Sequence, residues 1–202
     1  MNENSYRFAA YAIAQDSCAP AAVTAYAGAV AAARHRAQSE GTTLACQLLH
    51  ELSTDPVTHA AATEVGPFTM LTLSDWLQEV WGGVTELAAV TEVPELTADE
   101  QLFHRATVEL FAEADPNSGT AMLAFAGALA VAHVRWYVAG ADPAATAFVS
   151  SVLDADPVAA AAREELDEAT RASIAMVVGN RWHTITERVQ VMEMVSAIET
   201  AA

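Results

Sequence analysis

Two stretches of this chain read nearly alike: AYAGAVAAARHRAQSEG, from Ala25 to Gly41, and AFAGALAVAHVRWYVAG, from Ala124 to Gly140. Gly28 falls opposite Gly127, Arg36 opposite Arg135 and Gly41 opposite Gly140. Matched alanines mean little in an Ala-rich chain, so the test is whether other stretches repeat in the same order. LSTDPV, ending at Val57, is answered by LDADPV, ending at Val158. WGGVTE, starting at Trp81, is answered by WHTITE, starting at Trp182. The chain holds only 4 Trp, so a matched Trp followed by a matched Thr-Glu is informative. Three anchors in one order predict a tandem duplication, with a first half over residues 1–96 and a second over 97–202.

The repeated stretches are apolar on nearly every side, which places them inside the molecule. Gly28 and Gly127 lack a Cβ and would allow a close approach. Punctuation supplies the other boundaries. Thr97 and Glu100 form a capping box at a helix start. Asp55-Pro56, Asp142-Pro143 and Asp156-Pro157 each put a carboxylate at a cap and a proline in the first turn, where its missing N–H costs nothing. Pro67 opens a further helix, and the last helix of each half carries its Trp. The expected fold is therefore all-α: a helical bundle of two tandem-duplicated halves, about five helices each, with the Ala-rich helices central. The halves pack as one compact unit about a pseudo-two-fold.

Charge narrows the function. There are 26 acids against 9 bases, all Arg, for a formal net charge of −17. Direct nucleic-acid binding is not expected, because Lys and Arg carry that affinity; nor is an anionic membrane surface. The longest uninterrupted apolar run, Ala121 to Ala132, is shorter than the about 20 residues of a membrane span. No basic region followed by an apolar stretch opens the chain, so a cytoplasmic location is expected. Cys18 and Cys46 are too few for a disulfide framework and are read as reduced thiols.

Familiar chemistry is missing. There is no P-loop, dinucleotide-type glycine pattern, HExxH, CxxC or nucleophile elbow, so no cofactor or metal is expected. The candidate ligand-binding residues are Arg36, Arg135, His133, Trp136, Trp81 and Trp182. The two arginines repeat between halves and could grip an anion, although an ion pair is the plainer account. His133 ends the most apolar helix and is the side chain most easily tuned near neutral pH. Trp81 and Trp182 head core stripes with Val84, Ala88, Ile185 and Val189. Thr85 and Thr186 would bond to the preceding turn, and Glu86 and Glu187 would face away. The densest acidic patch is Glu164, Glu165, Asp167 and Glu168, either an interaction face or a solvated helix surface.

Three functions compete. In the first, an acidic, non-enzymatic interaction or inhibitor protein engages a basic partner surface, as an immunity protein, antitoxin, phage inhibitor or nucleic-acid mimic would. In the second, a small-molecule binder or enzyme uses a site between the halves. In the third, Val189, Met192 and Val195 form a homodimer face.

Overall fold

The computed structural model describes residues 3–16, 19–91, 93, 96–141 and 146–201. Among these the chain is helical throughout, without a sheet. Helices α1 (Glu3–Asp16), α2 (Ala21–Glu40), α3 (Leu44–Thr54), α4 (Pro56–Glu79) and α5 (Trp81–Val90) occupy the first half. Helices α6 (Ala98–Ala114), α7 (Thr120–Val138), α8 (Thr146–Ala155), α9 (Pro157–Glu165), α10 (Glu168–Asn180) and α11 (Trp182–Ala201) occupy the second. Cys18 and the Asp142-Pro143 start lie outside the described residues; Cys46 is a free, exposed thiol.

The halves contain more helices than the punctuation predicts. Gly66 takes a left-handed φ of 70° inside α4, so α4 is two legs, the second opened by Pro67. A further break falls just before each Trp. Val80 (φ −90°, ψ 5°) and Arg181 (φ −96°, ψ 6°) each end one helix and turn the chain into the next. Neither turn needs Pro or Gly, because this region of backbone space is open to ordinary residues. The next helix then starts at the Trp with no sequence signal.

Packing relations recur in order. α1 lies on α2 as α6 lies on α7; α3 lies on α2 as α8 lies on α7; α5 lies on α1 as α11 lies on α6. The α2 and α7 helices are central. Ala21, Ala25, Ala27, Ala31 and Ala33 of α2 are buried, as are Ala124, Ala126, Ala128 and Ala132 of α7. Small side chains let neighbouring helices approach closely. A Cβ on Gly28 would strike the Tyr11 ring, and one on Gly127 would strike His104 and Val108. The close approach is thus made by side chains of α1 and α6, not by a second backbone. α7 is the described helix long and apolar enough to cross a bilayer, and 56% of its most apolar window is buried within the protein.

The two halves interlock through helix ends. The first four N–H groups of any helix lack an internal partner. α2 starts after Pro20 and α7 after Gly119, and neither has a side-chain cap of its own. Glu165, at the end of α9, accepts from the Ala21 N–H. Glu64, in the first leg of α4, accepts from the Thr120 N–H and, at 2.9 Å, from its hydroxyl. Each central helix is therefore capped by a carboxylate from the opposite half, whose charge also suits the positive helix start. Correspondingly α9 packs on α2, and α4 on α7.

Glu64→Ala and Glu165→Ala should each lower unfolding free energy by about 1 kcal/mol, as loss of a cap does. Urea titration checks this. A Glu165→Ala loss no larger than that of Glu164→Ala, an exposed neighbour, would remove the cap assignment.

Candidate functional site

The repeated arginines are committed to carboxylates. Arg36 pairs with Glu51 of α3 and lies 3.2 Å from Glu3 of α1. Glu51 also takes Arg7 at 2.6 Å. Arg135 gives Nε to Glu100 at 2.7 Å and Nη2 at 3.4 Å. Glu100 completes the expected capping box, accepting from the Thr97 N–H at 2.9 Å while its own N–H donates to the Thr97 hydroxyl. The Arg135 hydrogen bond is the main cause holding the Glu100 carboxyl below the usual range.

The aromatic candidates gather in two clusters, one per half. Tyr6 stacks on Trp81 at 5.4 Å and on His35 at 4.1 Å, and the Arg34 guanidinium lies over the Trp81 ring at 4.6 Å. Phe103 stacks on Trp182 at 5.0 Å, and His133 lies over the same ring at 3.9 Å with Trp136 edge-on at 5.3 Å. His133 thus stands over Trp182 as Arg34 stands over Trp81. Burial pushes its pKa down, favouring the neutral imidazole. The stripes behind the Trp residues are core: Val84, Ala88, Ile185 and Val189 are buried. Thr85 and Thr186 donate to the Trp81 and Trp182 carbonyls, each at 2.9 Å, and Glu86 and Glu187 are exposed.

The acidic patch divides into different tasks. Glu165 caps α2. Asp167 caps α10, accepting from the Thr170 N–H at 2.8 Å, and that bond is the main cause lowering its pKa. Glu164 is exposed beside Arg163, and Glu168 stands in the first turn of α10.

A cavity of about 470 Å³ opens between the halves. From the first half it takes Phe8 and Tyr11 of α1, and Asp55 and Val57 at the start of α4. From the second it takes His104 of α6, the α7 row Ala124, Ala128, Val131 and Arg135, and Val152, Asp156 and Val158 around the start of α9. Of the six candidate ligand residues, Arg135 alone is on its wall; Arg36 borders a second, more polar hollow with Arg7 and Glu51.

The cavity wall brings together titratable groups that sequence reasoning assigned to capping or passed over. Asp55 accepts from the Val57 N–H at 3.0 Å and the Thr58 hydroxyl at 2.6 Å. Asp156 Oδ1 accepts from the Val158 N–H at 2.9 Å and the Ala159 N–H at 3.2 Å. Both are caps, as expected, yet each also lies on the cavity. Burial is the main cause raising the Asp156 pKa, opposed by the nearby His104 and reinforced by Asp55. Tyr11 is buried, and burial pushes its hydroxyl up to about 12 against the pull of Arg7. A signal existed in the sequence: Asp55 and Asp156 occupy matched places in LSTDPV and LDADPV, and both line this cavity. Among the described residues, no three His, Cys, Asp or Glu stand close enough to hold a metal ion.

Comparison with known proteins adds no name to this arrangement: the chain matches no protein family, no curated protein and no solved structure.

Tyr11 carries a pH signature. Its pKa is raised on folding, so the stabilisation is complete below the ordinary value of about 10 and is lost as pH climbs through about 12. Over that window the protein should lose roughly 3 kcal/mol of stability that the Tyr11→Phe variant does not lose. Parallel urea titrations at stepped alkaline pH read the difference; identical slopes for both proteins would contradict it.

Proposed function

We propose that this protein binds a small organic molecule in the cavity between its halves, and that the halves descend from one duplicated helical unit. The observation carrying the binding reading is the cavity itself. Its volume, about 470 Å³, lies within the usual range for ligand sites, its wall is mostly apolar, and a few polar groups converge on it. A boundary between related halves is where such pockets favour forming. The duplication reading is supported by the recurring helix packing, the paired Trp clusters and the reciprocal caps Glu64 and Glu165.

Nile red, a neutral apolar fluorophore, probes the cavity. Saturable one-site binding is expected. Ala155→Trp, a half-buried wall position at the end of α8, should weaken it by at least about tenfold by filling the space. Binding indifferent to that substitution, in a variant with an unchanged melting temperature, overturns the reading.

A second reading, an acidic surface engaging a basic protein partner, is favoured by α11. Ile185, Val189 and Met192 face the core, so the dimer face expected from Val189, Met192 and Val195 is mostly interior. Beyond them a different stripe is exposed: Val191, Met194, Val195 and Ile198. At about 100° per residue it is turned by roughly 140° from the core face. Glu187 and Glu193 are exposed on the same helix, whose single base, Arg188, is spent on Glu113 and Glu109. An apolar stripe with acidic neighbours fits a groove with a basic rim. An immobilised amphipathic Lys/Leu helix should retain the protein at low salt and release it at high salt. Retention that survives Val195→Asp or ignores salt would overturn this second reading.

A further inference from the structure

We infer that the cavity takes an organic cation, an amphipathic amine whose ammonium lies against Asp156 and whose hydrocarbon part runs along α7. The inference rests on the small-molecule reading above and names the ligand's class.

Charge on the cavity wall is the first argument. An anionic ligand needs a cation to meet it. Arg135, on the wall, has its charge balanced by Glu100, which accepts from Nε and Nη2, and Arg7, beside Tyr11, is paired with Glu51. The wall acids, in contrast, have no ion pair with an arginine among the described residues, since those of Arg7 and Arg135 go to Glu51 and Glu100. Asp55 spends one oxygen on the Val57 N–H and the other on the Thr58 hydroxyl. Asp156 spends only Oδ1, which accepts both amide hydrogen bonds; among the described residues Oδ2 accepts none. One carboxylate oxygen therefore remains for a donor arriving through the cavity.

The surroundings of Asp156 sharpen the point. Burial disfavours its ionised form, and Asp55 adds to that penalty. His104 is the wall residue whose electrostatic contribution opposes that penalty. An ammonium entering the cavity adds a positive charge and hydrogen-bonds the oxygen left over, a charge-assisted contact. Asp156 thereby changes from a group that burial opposes to one half of an ion pair.

Shape and the wider field agree. Phe8 and Tyr11 stand together on the wall with ring centroids 5.4 Å apart, and aromatic faces attract cations. Much of the remaining wall is hydrocarbon: Ala124, Ala128, Val131 and Val152. Alanine rows leave room for a slender chain and offer it nothing polar. The net charge of −17 draws cations toward the molecule before contact.

Chain-matched probes separate charge from hydrophobicity. Octylammonium, octanol and octanoate compete against Nile red on the intact protein. Octylammonium should displace the dye at least about tenfold more effectively than octanol, the worth of one charge-assisted hydrogen bond, and octanoate should be weakest. Asp156→Asn keeps a good helix cap; it should abolish the preference for ammonium while leaving octanol unchanged. Equal potency of the three probes, or an ammonium preference that survives Asp156→Asn, overturns the inference and leaves the binding site standing. Dye binding that ignores Ala155→Trp removes the site, and the inference with it.

Discussion

The architecture depends on two carboxylates that cross from one half to the other. The innermost helices, α2 and α7, begin without any local group to accept their free N–H donors, because Pro20 and Gly119 offer none. Both starts are interior, where water cannot serve; Ala21 and Thr120 are fully buried. Glu165 and Glu64 answer this need from α9 and α4. A central helix lies deep in the protein more easily when its orphan donors find acceptors, and here the other half supplies one at each start. The same exchange lies where α4 packs on α7 and α9 on α2.

Much of this was legible in residue order. The apolar stretches marked the central helices, Asp-Pro pairs marked helix starts, and Thr97 with Glu100 marked a capping box that forms as expected. The turns at Val80 and Arg181 were not legible, because ordinary residues adopt that backbone and the hydrogen-bond ladder barely pauses across them: the Val84 N–H returns to the Val80 carbonyl at 3.0 Å, and Ile185 does the same to Arg181. Glu64 and Glu165 could not be recognised either. A cap supplied from across the boundary leaves no local spacing to read, and Glu165 merely looked like part of an acidic run.

The cavity shows the same division. Arg36, Arg135 and the Trp residues attracted notice through repetition and chemistry, and the structure gives them ion pairs and stacked clusters that brace each half. Asp55 and Asp156 had a complete local explanation as caps and so drew no further attention. Their second property, lying on a shared cavity, belongs to the packing of the halves. A cap is also a constrained carboxylate: backbone donors hold one oxygen fixed and thereby aim the other. Rigid positioning of that kind is what a recognition site requires.

The crossed caps bear on how the chain is made. A chain leaves the ribosome from its amino end, and domains in general fold as they emerge. Here α2 appears early, yet the carboxylate that closes its start is Glu165, near the end of α9. Until that residue has been synthesised, the Ala21 N–H at the start of α2 lacks this acceptor. The first half can assemble before then, but about 1 kcal/mol of its stability arrives only when α9 joins it. Nascent chains of this protein gain that last increment only when α9 meets α2.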